Sequence, residues 1–321
     1  MVTSEKVSST IVERASFLVI ISITIGVSFS NLVLHHLLPL IPLFLAGMMI
    51  SAGLMISFRD YIRSGIKPSK ISVIVSAQYI LSVSIGFALA LLFFFILLDE
   101  PNLALGQVLH ASMPSEQTSP VWVRLAGGNV ALGIVTLVIS TLASPFASPA
   151  LVFAFAGTWV QIDYTAFFIS LILTVLIPVL VGSFLRSSKT ETITKHDHLY
   201  PAMSTMFALP TVVIIGALAC SFLSSQLMEV LSYAIIASSV HFGSTILIGL
   251  TIPKILRWHY PDMAVSVFNL SMKEFTVTLG VIAATGLNQE VGVPAALYGI
   301  MHMAAAPIIA RYLRKRYSST S

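Results

Sequence analysis

Three ionisable side chains, Glu116, Lys273 and Glu274, stand inside apolar stretches, each among amides and hydroxyls. Glu116 lies in HASMPSEQTSPVW, residues 110–122, beside Gln117, Thr118 and Ser119; Lys273 and Glu274 lie in FNLSMKEF, residues 268–275, with Asn269 and Ser271. A charge at the centre of a bilayer costs roughly 3 kcal/mol on insertion scales, so such residues face protein or water and mark function. Pro114 and Pro120 remove two backbone donors and disfavour helical geometry at the residues before them, which predicts an unwound segment. Freed carbonyls in such a segment bind a cation, whereas half-helix N-termini favour an anion. The chemistry on offer is reversible binding of ions and small solutes.

Catalysis fits these residues poorly. Ser271 and Lys273 are two apart and so on different helix faces, which argues against a Ser–Lys nucleophile. The chain has no zinc motif and no phosphate-binding glycine loop, so no cofactor is expected. His110, His241 and His302 lack metal-ligand spacing and read as interhelical hydrogen-bonding residues. The single cysteine, Cys220, excludes an internal disulfide and reads as a packing residue.

The elements that hold these groups are apolar helices. Of 321 residues 56% are hydrophobic and 9% charged, against about 25% charged in soluble domains, so the chain reads as an integral membrane protein. About 20 apolar residues cross a bilayer core, and ten segments qualify: 15–37, 39–57, 71–98, 102–126, 128–157, 164–185, 201–222, 226–250, 262–286 and 291–311. With the N-terminus cytoplasmic, all but one of the 17 basic residues fall on inner segments, from Lys6 and Arg14 through Arg59 and Arg63 to Arg314–Arg316. Lys273 is the exception. Outer loops and span edges carry Asp99, Glu100, Asp163, Glu229 and Glu290, so both termini are read as cytoplasmic and the protein as multi-pass in the cell membrane. The formal charge of +4 is topology, not a nucleic-acid patch; the lipid bilayer is the expected partner, and Arg314–Arg316 can touch anionic headgroups. The first apolar run is too long for a signal-peptide core, and no cleaved leader is expected.

The hydrophilic interval RSSKTETITKHDH, residues 186–198, is read as a seam. It divides the chain into a cytoplasmic N-terminus 1–14, a first five-helix repeat 15–185, a linker 186–199, a second five-helix repeat 200–311 and a cytoplasmic C-terminus 312–321. Faint self-similarity supports an inverted repeat: Gln78 and Gly86 in span three match His241 and Gly249 in span eight, and the PSEQTSP break in span four matches FNLSMKEF in span nine.

LAGGNVALGIVTLVISTLASPFASPALV, residues 125–152, and LSMKEFTVTLG with PAALYGIMHMAAAPIIA, between 270 and 310, resemble the bile acid:sodium symporter family. GGNVALG followed by STLASP is the most specific match, and Gln78 after Ala77 fits a further family position. The resemblance implies an all-α membrane fold of ten transmembrane helices, as two inverted five-helix repeats with discontinuous helices four and nine crossing at mid-membrane. Spans three to five and eight to ten would form a core, and spans one, two, six and seven a panel. It also implies alternating-access transport of a small organic anion, with substrate contacts at Gln117, Thr118 and Glu274 and ion coupling at Gln78, Glu116, Ser119, Asn269, Ser271 and Lys273. The chain departs from the family pattern where sodium would bind. Ser119–Pro120 stands for a Ser-Asn pair, Gly133 and Leu137 for hydroxyl ligands, and Asn269 to Glu274 for Glu-Val-Gly-Met-Gln-Asn. The expectation is that Lys273 supplies the positive charge of a lost sodium ion, with Glu116 as its counter-charge and a proton on Glu116, Glu274 or Lys273 as coupling ion. Two other readings remain: a non-transporting receptor or scaffold, and a metalloid exporter, which wants a cysteine at the span-four break.

Overall fold

The protein is described from a computed structural model covering residues 14–55, 67–225 and 228–317. Lys6, Arg59, Arg63, most of the expected N-terminal tail and residues 318–321 lie outside the described residues.

Every regular element among the described residues is helical. In chain order these are α1 (Ala15–Ser28), α2 (Ser30–His36), α3 (Ile41–Met55), α4 (Pro68–Leu97), α5 (Pro101–Ala111), α6 (Ser119–Leu125) and α7 (Val130–Ala156). They continue with α8 (Tyr164–Ser188), α9 (Thr190–Thr194), α10 (Tyr200–Ser225), α11 (Met228–Ile255), α12 (Tyr260–Ser271), α13 (Phe275–Thr285) and α14 (Val293–Tyr317). By length and composition seven helices among the described residues can cross a membrane, or eight if α1 and α2, bent by 97° at Phe29, count as one span. The segments read as spans four and nine are instead broken, α5 from α6 and α12 from α13.

Close helix contacts are set by glycine. A Cβ built on Gly53 of α3 would lie 2.2 Å from Val179 O and 3.0 Å from Gly182 Cα of α8. On Gly26 of α1 it would lie 2.0 Å from Val213 O and 3.0 Å from Gly216 Cα of α10. In both pairs the intruded carbonyl lies three residues before the partner glycine, so α1 meets α10 as α8 meets α3. Arg186 ties the same group, donating from Nη1 to Leu54 O (2.6 Å) and to Asp197 Oδ1 (2.6 Å).

A second group comprises α4, α6, α7, α11, α12 and α14, which share a core containing Ile74, Trp122, Leu132, Val267 and Phe268. The GGN motif organises one end of it. Gly127 sits at φ +76°, where a side chain is strained; Gly128 leaves 2.9 Å between its missing Cβ and Ala264 Cβ; Asn129 caps α7 by accepting from Leu132 N at 3.1 Å. Asn129 Nδ2 also donates to Asp262 Oδ1 (2.9 Å), and Asp262 pairs with Lys70, fastening the starts of α4, α7 and α12 together.

Overpacking a close contact typically costs 1–3 kcal/mol. Gly53→Ala is therefore expected to lower the Tm in detergent, whereas Gly243→Ala in α11, whose Cβ meets nothing within 4 Å, keeps or raises it, since Ala favours helix over Gly by about 1 kcal/mol. Equal Tm values for the two variants would refute the close α3–α8 packing.

Candidate functional site

The two helix breaks pair with each other. Pro114 stops α5 from continuing and Pro120 lies in the first turn of α6. The break between α12 and α13 has no proline; Met272 (φ −93°, ψ 105°) and Glu274 (φ −75°, ψ 92°) are extended there because the other break supplies their partners. Glu116 N donates to Met272 O (2.9 Å) and Glu274 N donates to Pro114 O (2.9 Å), an antiparallel rung with Ser115 opposite Lys273. Backbone groups freed by the unwinding are thus satisfied locally, as a buried chain requires.

The rung is close to twofold symmetric in its side chains. Ser115 Oγ donates to Asn269 O (2.8 Å), four residues before Lys273; Lys273 Nζ donates to Ala111 O (2.8 Å), four residues before Ser115. Thr118 Oγ1 donates to Glu116 Oε2, and Thr276 Oγ1 donates to Glu274 Oε1. Each half therefore contributes a Glu-x-Thr unit, EQT at 116–118 and EFT at 274–276. Reading the sequence for charge alone misses this repeat, although it is visible in the letters once the two breaks are aligned.

Lys273 is fully buried, and its ammonium is held by backbone dipoles. Nζ donates to Ala111 O (2.8 Å), Met113 O (3.2 Å) and Gln78 O (3.4 Å). Gln78 belongs to a π-helical stretch of α4, Ala77–Ser82; such widened turns recur at functional sites. Gln78 also donates from Nε2 to Met113 O (3.3 Å) and accepts from Ser115 Oγ at Oε1 (2.8 Å), closing a cage of oxygens around the lysine.

The expected Glu116–Lys273 pair does not form. Among the described residues ion pairs join Lys70 to Asp262 and Arg186 to Asp197, and none joins Lys273 to Glu116 or Glu274. Both glutamates instead take neighbouring amides: Thr118 N donates to Glu116 Oε2 (3.0 Å) and Gln117 N to Glu274 Oε2 (3.3 Å). Because the two amides are consecutive, the two carboxyl groups stand side by side. Each Glu bonds the threonine two residues on, and Glu274 also takes an amide of the facing break, while the longer Lys reaches across to the end of α5.

The remaining predicted residues gather at the same rung with different engagement. Asn269 Nδ2 donates to Gly133 O (3.0 Å), so an amide–carbonyl bond links the positions where the family resemblance puts an acid and a hydroxyl. Ser271 Oγ bonds back to Val267 O (2.8 Å), and its carbonyl accepts from Tyr298 OH (2.8 Å). Gln117 Nε2 points at Met49 Sδ of α3 (3.3 Å), while Gln117 Oε1 and Ser119 Oγ are buried without a protein partner. Trp122, not foreseen, supports Thr118 through Nε1 (3.0 Å). No group of His, Cys, Asp or Glu suited to a metal ion exists among the described residues.

A crevice of about 200 Å³ is lined by Leu38 and Leu218 and by Leu279, Ile282 and Gly286, none of which belongs to the rung. Beyond the helices, the Glu100 carboxyl is pushed above the usual range by burial, then by Glu290 and Asp99.

Comparison with known proteins gives the context. The Sodium Bile acid symporter family matches residues 42–226, more than half of the chain. An uncharacterized sodium-dependent transporter of Bacillus subtilis, YocS, is 28% identical over 304 residues, covering 93% of this chain and 90% of its own. Two rice proteins named probable sodium/metabolite cotransporters, BASS2 and BASS1 of the chloroplast, are 34% identical over 43% of this chain and 29% identical over 61% of it. This chain covers 32% and 48% of their lengths. With two broken helices paired by a buried rung and a family match across more than half its length, this protein belongs to the sodium bile acid symporter family of multi-pass membrane transporters.

Proposed function

We propose that this protein is a secondary transporter of a small organic anion that works by alternating access in the cell membrane, with a lysine in place of the coupling cation. The observation that carries the reading is the Lys273 ammonium held by the carbonyls of Gln78, Ala111 and Met113. Three carbonyl oxygens, from the π-helical turn of α4, the end of α5 and the break after it, are the kind of donors an alkali-metal ion takes, since hard cations prefer oxygen ligands. A tethered ammonium fills it permanently.

The site-level roles follow. Gln78 and the rung hold Lys273; Asn269 and Ser271 keep the α12 end in shape; Gln117, Thr118, Ser119 and the Glu116–Glu274 pair face the solute. Two adjacent buried carboxyl groups resist double ionisation, so one proton is shared between them. An anion entering beside them needs that proton, and this requirement couples the two fluxes. The outer acids Asp99, Glu100 and Glu290 favour protons over anions at that mouth.

The architecture of the reading is ten spans in two inverted five-helix repeats, with α5–α6 and α12–α13 as spans four and nine crossing at mid-membrane and both termini cytoplasmic. The matched glycine contacts, α1 on α10 and α8 on α3, support it, as do the twin Glu-x-Thr units. They favour a repeat boundary between α7 and α8, because residues 15–185 already contain six spans and α8 plays for the second half the part that α1 plays for the first. α1, α2, α3, α8 and α10 would be the panel, the other spans the core, and the apolar crevice at Leu218 and Leu279 part of the seam along which they slide. The second reading, ordinary sodium symport, is favoured by the names of the relatives.

Stability separates the two readings. A ligand bound only by the folded state at 100 times its Kd adds about 2.7 kcal/mol. The wild-type Tm is expected to be the same in sodium and choline chloride at equal ionic strength, while Lys273→Ala is destabilised in choline and recovers in sodium. Sodium stabilisation of the wild type would defeat the built-in cation.

Transport tests the coupling. In liposomes, uptake from a panel of labelled organic anions is expected to follow an inward proton gradient and ignore sodium, rising as the outer pH falls because the pair must be protonated before the anion enters. Glu116→Gln is expected to lose this pH dependence, by about tenfold for each 1.4 kcal/mol of coupling removed. Uptake driven by sodium and surviving Lys273→Ala would overturn the proposal.

A further inference from the structure

Behind the rung lies a second polar cluster that the proposed transport cycle leaves unused. His110 of α5, His241 of α11 and His302 of α14 surround the ring of Tyr298, at centroid separations of 4.6, 5.3 and 5.8 Å, and all four residues are fully buried. Two members are tied down. Tyr298 OH bonds to Ser271 O (2.8 Å) and Thr245 Oγ1 (3.2 Å); His241 meets Gln107 Nε2 at Nδ1 (3.1 Å) and Ser82 at Nε2 (3.1 Å).

The others are not. His110 Nδ1 and Nε2, Gln107 Oε1 and His302 Nε2 have no protein partner. Gln107 and His110 are three apart on α5 and Tyr298 and His302 four apart on α14, so each pair shares one helix face. Each buried polar atom left unmade costs about 1–3 kcal/mol, and a fold does not carry several such atoms in one place without a ligand for them. An imidazole offers one donor and one acceptor when neutral, and an internal water needs two to four polar partners. The set here matches water: donors and acceptors mixed, no metal grouping, and no carboxylate facing a cation.

We propose that Gln107, His110 and His302 form an internal water-binding site that gives the rung proton access from the α14 side, apart from the solute route. In the relay each neutral imidazole takes a proton from water at one nitrogen as it gives up the proton of the other, and a ring flip or return through water resets the tautomer, so positive charge passes but no imidazolium rests beside the groups facing His110, which are His241, His302, Tyr298 and Lys273. His302 packs on Phe275, next to Glu274, at 5.5 Å between rings, and His110 precedes Ala111, whose carbonyl holds Lys273. The water site rests on these unpartnered buried polar atoms; its use as a proton route rests on the proposed proton coupling.

Radiolytic hydroxyl-radical labelling of the full-length protein in nanodiscs tests the site, since radicals form from water bound beside the labelled residue. Tyr298 and His110 are expected to label at least about tenfold more than Phe167 and Phe94, which are equally buried in apolar surroundings. Labelling of Tyr298 at the level of Phe167 overturns the proposal. In His110→Phe/His302→Leu, or in Gln107→Leu should that pair fail to fold, Tyr298 labelling is expected to drop to the dry level; persistence of the wild-type level also overturns it. The same variant is expected to slow proton-driven uptake about tenfold while sparing exchange of labelled for unlabelled anion at equal pH, in which the shared proton need not leave the site, and unchanged proton-driven uptake rejects the relay. Wild-type uptake indifferent to pH would sink proton coupling instead, leaving the water site to be decided by labelling alone.

Discussion

The antiparallel rung between residues 114–116 and 272–274 is the constraint on which the rest depends. Two unwound segments buried in apolar surroundings leave backbone groups that cost several kcal/mol each if unpaired. Neither break is tenable alone, and each solves the other's problem by two bonds of 2.9 Å. Pairing fixes the register to one residue, because the bonds can form only with Ser115 opposite Lys273. That register in turn decides which side chains meet: serine and lysine cross to the far helix end, and the two glutamates fall side by side. Tyr298 and Ser148 complete the arrangement by donating to the carbonyls of Ser271 (2.8 Å) and Ser112 (2.6 Å).

Charge follows from that geometry. A buried ion pair has to repay two desolvation costs and succeeds only with good geometry and further hydrogen bonds. Here the cation and the anions are stabilised separately, the ammonium by carbonyl oxygens and the carboxylates by amide and hydroxyl donors. Separation has a functional meaning, since a closed Glu–Lys pair would be a rivet with no free valence. Neutralising the lysine with dipoles leaves the acids available to something that comes and goes.

Much of this was legible in the sequence, for identifiable reasons. The apolar segments, their bias of basic residues and the polar interruptions are long-range compositional signals, and Pro114 and Pro120 mark the first break chemically. The α12–α13 break carries no proline; its extended backbone is imposed by a partner 158 residues away, Ser115 opposite Lys273, so only its polarity could be read. The partner of Lys273 was misread because opposite charges suggest a pair, whereas reach decides it: glutamate is short enough to bond its own threonine, and lysine is long enough to find α5. GGNVALG was recognisable as a signature, yet its letters perform a left-handed turn, a close approach and a cap rather than solute chemistry. The histidines were read as interhelical bonding residues, which holds for His241 and not for His110, whose ring finds no protein partner.

A cation that is part of the chain changes what the site can exchange. A free ion enters and leaves with every cycle, so its gradient drives transport; an ammonium on Lys273 can be repositioned but not released. On the proposed reading its positive charge stays with the site through the cycle, and the charge left to vary is that of the two carboxyl groups. With both ionised the site as a whole is negative and repels an anion. With one proton shared it is neutral, and the donors around Thr118 and Gln117 are offered to a solute without an opposing field. On that reading, fixing one charge turns a binding site for two species into a gate for one proton, with its threshold set by the same rung that holds the helices in register.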